Sequence, residues 1–192
     1  MSRESKTLKK IVSEIKPLIY HCTELNYVYS DTRELDILSE GLLGPESLEK
    51  YDENPHGRGY GGSYAQEDTD KTNHISVWIY SENIGDLEST LNMIRSREIT
   101  FVLNPKTKYE LVDDHTDVEH YHVDEGLVES PVEINSENIE LVIVGRKFIE
   151  TNYNNQDTIP SLEEIEEEIE EIKSELDDRN IPVFETEKRE YE

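Results

Sequence analysis

Leu18-Ile19-Tyr20-His21-Cys22-Thr23 is a short apolar run that opens into polar residues, the pattern of a buried strand. Before it, residues 4–16 predict an amphipathic helix. Leu8, Ile11, Val12 and Ile15 recur at helical spacing, and Pro17 stops the run. After it, residues 31–41 predict a second helix, with Leu35 and Leu38 on one face and Gly41 as its C-cap. Residues 44–73 are irregular. Gly57-Arg58-Gly59-Tyr60-Gly61-Gly62 sustains neither a helix nor a central strand. It reads as a surface loop, or as a loop over a site, and no Gly-Lys-Ser/Thr follows to make a phosphate loop.

Further along, Ile75-Ser76-Val77-Trp78-Ile79-Tyr80 alternates and is rich in β-formers, which predicts a strand. A helix over 84–95 and a strand at Ile99-Thr100-Phe101-Val102-Leu103 follow, then a short strand from Tyr109 to Val112. Residues 113–126 read as irregular. Val128 to Ile134 reads as an edge strand, because Pro131 would interrupt a central one. Leu141-Val142-Ile143-Val144 is the plainest strand of the chain. Residues 151–160 are a polar linker.

Ser161 and Glu164 have capping-box spacing, and a helix from 162 to 178 then carries Leu162, Ile165, Ile169, Ile172 and Leu176 as one apolar seam on an anionic rod. The seam suits packing against its own domain or, alternatively, a homodimer or partner face. Ile181-Pro182-Val183-Phe184 would add a last edge strand, with a disordered tail after it. The organisation expected is a domain over 1–150, a linker over 151–160, and an acidic helix and tail over 161–192.

The 192 residues carry 45 acids against 19 bases, a formal net charge of −26. Such a surface repels nucleic-acid phosphates and anionic lipid. The nearest basic group, Lys6, Lys9, Lys10 and Lys16, reads as a solvated helix face. A high-salt cytoplasm, mimicry of a nucleic acid, or an acidic tail would each account for the acidity. The free use of Ile, Asn and Lys argues against the first. Cys22 is the single cysteine, so no intramolecular disulfide forms, which fits a reducing compartment. With no apolar run long enough to span a bilayer and no leader pattern, a cytoplasmic protein is expected.

Three sets of residues are candidates for chemistry. His115, His120 and His122 stand among Asp113, Asp114, Asp117, Glu119, Asp124 and Glu125. Imidazoles and carboxylates are ligands for zinc, manganese or iron, but an exposed acidic loop has the same composition, and no metal is assigned. Ser76 and Ser81 lack a nucleophile-elbow context. Cys22 lies beside His21, and adjacent strand residues point to opposite faces, so no dyad is expected.

The third set is Tyr20-His21-Cys22-Thr23, followed by Ile37-Leu38-Ser39-Glu40-Gly41-Leu42, then Asn73-His74-Ile75-Ser76, then Glu129-Ser130-Pro131-Val132-Glu133-Ile134 with Ile139 to Val144. In this order, over roughly residues 18–146, they resemble segments of ADP-ribosyltransferase-like proteins. The resemblance implies an α+β fold: a mixed, mainly antiparallel sheet with flanking helices. To that the sequence adds the C-terminal acidic amphipathic helix. The resemblance also implies a transferase using NAD as substrate, split at its nicotinamide–ribose bond. His21 would hydrogen-bond a ribose, and Thr23 would support the strand end. Ser76 and Tyr80 would line the nicotinamide pocket, Tyr80 by stacking. Glu129 would be the catalytic carboxylate, with Glu125 and Glu133 as alternatives. Cys22 departs from the family's usual glycine, and Tyr29 to Glu34 are an insertion. The target expected is a protein rather than a nucleic acid. The rival expectation is a non-catalytic acidic binding protein or nucleic-acid mimic that blocks a basic partner, as phage counter-defence proteins do.

Overall fold

Among the described residues seven strands pair into one sheet, most of them alternating or continuously apolar: β1 (Leu18–Thr23), β2 (His74–Tyr80), β3 (Ile99–Leu103), β4 (Glu110–Leu111), β5 (Asp124–Glu129), β6 (Ile139–Val144) and β7 (Val183–Glu185). The computed structural model describes residues 7–25, 36–44, 73–81, 83–111, 124–153 and 161–186. The strand order is β4-β5-β2-β1-β3-β6-β7, so β1 is central. Every neighbouring pair is antiparallel except β6 with β7. The fold is thus mixed, with a mainly antiparallel sheet flanked by helices.

The helices among the described residues are α1 (Leu8–Glu14), α2 (Ile37–Glu40), α3 (Leu87–Arg95), α4 (Arg146–Tyr153) and α5 (Leu162–Asp178). Their starts follow from local chemistry. Asp86 accepts from the Ser89 amide at 2.8 Å to cap α3, and Ser161 with Glu164 closes a capping box on α5. Gly41 ends α2 at φ 88°, where a Cβ would lie 2.6 Å from the Val132 carbonyl oxygen, so both conformation and space require glycine.

Alternation along the strands builds two apolar layers. On one face, Leu18, Tyr20, Val102, Leu141 and Ile143 pack against Leu8, Ile11 and Val12 of α1 and Leu91 and Ile94 of α3. On the other, Ile19, Val77, Phe101 and Val142 pack against α2, Ile149 of α4, and Ile165, Ile169, Ile172 and Leu176 of α5. The apolar seam of α5, read above as a possible homodimer face, is therefore buried within its own chain; its four central residues are at most 2% exposed. A helix beside a sheet has a nearer apolar surface than a second molecule does.

Other expectations change in detail. Residues 124–126, expected to be irregular, belong to β5. The strand expected over Val128 to Ile134 is not an edge strand: β5 lies between β4 and β2 and ends at Glu129. Pro131 does end the pairing, but the strand lies on its N-terminal side, and Val132 only bridges to Leu42. Residues 151–153, read as linker, continue α4, whose polar sequence gave little apolar periodicity. Residues 154–160 lie outside the described residues. Among the described residues, no helix is long and apolar enough to cross a membrane.

Candidate functional site

The sheet is split beside its central strand. β1 pairs with β2 only through Leu18, Ile19 and Tyr20, and the register stops at Tyr20 opposite Trp78. Beyond that point β1 continues with β3 as far as Thr23 opposite Ile99. β2 meanwhile pairs with β5 as far as His74 opposite Glu129. His21 stands where the ladder ends. Its Nδ1 is 2.9 Å from the carbonyl oxygen of Ser76 and takes the place of a missing ladder bond. A carbonyl oxygen only accepts, so Nδ1 carries the proton. In the neutral ring, Nε2 is then an acceptor.

Burial pushes the His21 pKa below its ordinary value, and the bond to the Ser76 carbonyl offsets this only in part. The imidazole is accordingly neutral at neutral pH. Ser76 is 7% exposed, and its hydroxyl donates to Oε1 of half-buried Glu125 on the neighbouring strand. Ser76 thus meets His21 through its carbonyl and Glu125 through its hydroxyl, but by alternation the His21 side chain projects to the face of Ile19 and α5, whereas the Ser76 hydroxyl and Glu125 lie on the face of Tyr20, Trp78, α1 and α3.

The remaining candidates lie apart from this group. Thr23 is buried at the end of β1, and by alternation it shares a face with His21. Tyr80 shares the face of Ser76 but sits opposite Leu18, four residues and roughly 13 Å along the strand. Glu129 is exposed at the far end of β5, opposite His74. Glu133 is exposed and accepts from the Asn135 side chain at 3.1 Å. Of the three acids left open by the sequence, Glu125 is the one hydrogen-bonded to Ser76.

Cys22 and His21 project to opposite faces, as adjacent strand residues do. Burial raises the Cys22 thiol to about 11, against smaller lowering effects from Thr100 and Arg97, so it stays protonated and is a poor nucleophile. Ser81 is taken up in a turn, where its amide donates to the Ile84 carbonyl at 2.8 Å. His115, His120 and His122, the Gly57–Gly62 loop and the Tyr29–Glu34 insertion lie outside the described residues. Among the described residues no group of three or more His, Cys, Asp or Glu side chains is placed to hold a metal.

Trp78, in β2 between Ser76 and Tyr80, was not singled out from the sequence. It is half-buried and directly opposite Glu125. Its position two residues from Ser76 was the available signal, since strand alternation puts both on one face. No protein-family model matches the chain, and no curated protein matches it.

Proposed function

We propose that the chain is an ADP-ribosyltransferase-like enzyme that uses NAD as substrate, with Glu125 as its catalytic carboxylate. The observation that carries this is the Ser76–Glu125 hydrogen bond beside the split that His21 occupies. The resemblance brought together His21, Ser76 and a catalytic acid, with Glu129 first and Glu125, just before the closing segment, as an alternative. Two hydrogen bonds to Ser76, one to its carbonyl and one from its hydroxyl, meet at a single split in the sheet from its two faces, and that is support no one motif supplies.

The donor set suits the substrate. Neutral His21 offers Nε2 to a ribose hydroxyl, while its Nδ1–H is held by the Ser76 carbonyl. The Ser76 hydroxyl holds Glu125 in one orientation. Cleavage of the nicotinamide–ribose bond leaves the bonding pair on nicotinamide and positive charge on the ribose. A fixed carboxylate in a partly desolvated site favours that charge. Thr23 supports the end of β1, and Tyr80 lies further along β2 on the face of Ser76. The net charge of −26 favours a basic protein as acceptor over a nucleic acid.

The test is incubation of the pure protein with NAD in low and high salt. Released nicotinamide and an NAD-induced rise in melting temperature are the expected results. A second reading, a non-catalytic acidic protein that covers a basic partner, is favoured by the outward side of α5, where Glu163, Glu167, Glu170, Glu171, Glu175 and Asp178 are all exposed. No nicotinamide release and no thermal shift, together with capture of a basic protein, would favour it.

A further inference from the structure

Two ladders give out at the same end of the sheet. Thr23 opposite Ile99 is the last pair of β1 with β3, and Val144 opposite Ile99 is the last of β6 with β3. Glu98 stands one residue beyond both. Its carbonyl accepts from the Gly145 amide at 2.7 Å, and a Cβ on Gly145 would collide with the Arg97 carbonyl, so the two backbones lie in close contact. Its carboxylate accepts from the Leu25 amide at 2.8 Å. Glu98 thus straps the ends of β1 and β6 together across the start of β3. At 6% exposure it is the one buried carboxylate among the described residues. A carboxylate taken out of water costs free energy unless donors meet it, and the Leu25 amide is such a donor.

The strap acts on the half of β1 that carries His21. Beyond Tyr20 this half has no backbone pair with β2, and His21 reaches β2 with its ring, through Nδ1 and the Ser76 carbonyl. The Leu25 side chain is fully buried in the layer of Ile19 and Phe101, which sets its depth, and the Glu98 carboxylate fixes its backbone.

We infer that Glu98 is a positioning residue: it holds the unpaired half of β1, and with it the His21 ring, against the split in the sheet. A side-chain acceptor takes over where the backbone ladder to β3 ends, as the His21 ring does on the other edge of the strand. In this role Glu98 acts through His21 and touches no substrate. Its weight in catalysis rests on the NAD reading above; its hold on His21 does not.

Three variants of the full-length protein separate the possibilities. Glu98→Ala removes the acceptor, Glu98→Asp keeps the acid one methylene short of the amide, and Glu98→Gln keeps an oxygen at the same reach. Hydrogen exchange reads the strap. Relative to the β3 amides, the Leu25 amide should exchange about tenfold faster or more in Glu98→Ala and Glu98→Asp, and Glu98→Gln should recover much of the protection. An NMR titration of the His21 imidazole, assigned by its loss in His21→Asn, reads the positioning. Releasing the strand end relieves the burial that lowers this pKa, so the titration should move up towards its ordinary value in Glu98→Asp and stay in place in Glu98→Gln. On the NAD reading, Glu98→Asp should raise KM more than it lowers kcat, because the contact of His21 with the ribose already exists in the bound ground state.

Faster Leu25 exchange with an unmoved His21 titration would leave a merely structural strap and overturn the positioning role. Leu25 and β3 amides speeded alike, or no change in either readout, would overturn it too. The expected shifts in a protein that releases no nicotinamide would keep the role and remove the NAD reading. Turnover with Leu25 and His21 unmoved would do the reverse.

Discussion

The hydroxyl of Ser76 donates to the carboxylate of Glu125 across the β2–β5 ladder. The register makes this possible. Ser76 is opposite Leu127 and Trp78 is opposite Glu125, so Ser76 and Glu125 are diagonal neighbours on one face. A slip of one residue would turn Glu125 to the other side of the sheet. The bond therefore depends on the whole β2–β5 pairing, which the apolar alternation of β2 fixes.

The pH dependence of stability should carry a contribution from His21. Its folded pKa lies below the ordinary value of 6.5, so the unfolded chain binds more protons in the window between the two. Stability contributed by this group is complete above that window and falls as pH drops through it, by at most about 1.4 kcal/mol per pH unit. Asn in place of His21 keeps a donor for the Ser76 carbonyl but does not titrate. Urea unfolding at several pH values should show a shallower acid-side fall for His21→Asn than for the wild type. Parallel curves would contradict the assignment of a neutral, desolvated imidazole.

Arg146 ties the start of α4 to α5 and β7. Its guanidinium pairs with Glu166 and Glu185 and reaches Glu170 at 3.8 Å, while Lys173 holds Glu185 at 2.7 Å. Burial alone would raise the Glu185 carboxyl, but the bonds from Arg146 and Lys173 outweigh it and hold the group below its ordinary range. Replacing Arg146 by Met should cost about 1–3 kcal/mol at neutral pH, a range set by charged hydrogen bonds whose partners are partly solvated. The stabilisation is present above the ordinary carboxylate pKa and is lost as pH falls through the lowered one. The gap between variant and wild type should therefore narrow as pH falls below the ordinary carboxylate range, as read by denaturant midpoints.

Ile172 tests where the α5 seam is buried. The side chain is fully buried in the layer shared with Val142, Phe101 and Ile165. Truncation to Ala should cost about 2–5 kcal/mol. Because the contact is within one chain, the loss should not vary with protein concentration. A midpoint that rises with concentration, alongside a dimer in sedimentation, would place the seam between molecules instead.

Local patterns carried most of the strands. Leu18–Thr23 and His74–Tyr80 were legible because apolar run and alternation agree with β-propensity there. Ser161 and Glu164 likewise announced α5. What stayed hidden depends on pairing. Asp124, Glu125 and Gly126 are poor strand formers, yet they join β5 because β2 supplies a ladder partner for each and β4 a second one for Gly126. The same pairing sets Glu125, and not Glu129 or Glu133, beside Ser76, whereas the sequence pointed first to Glu129. His21 was legible as a residue of interest, but its bond to the Ser76 carbonyl follows from the split between β1 and β2, which no local signal announces.

The most direct test of the central claim is nicotinamide release from NAD by the wild type, Glu125→Gln and Glu129→Gln, measured side by side in low and in high salt. The account predicts turnover by the wild type and a loss of about 100-fold or more in Glu125→Gln, the scale of removing an electrostatic stabiliser from the reacting centre. Glu129→Gln should stay within about threefold of the wild type, because an exposed carboxylate at the strand end is well screened. No turnover by the wild type in either salt would contradict the enzyme reading, and turnover abolished by Glu129→Gln but kept by Glu125→Gln would contradict the site.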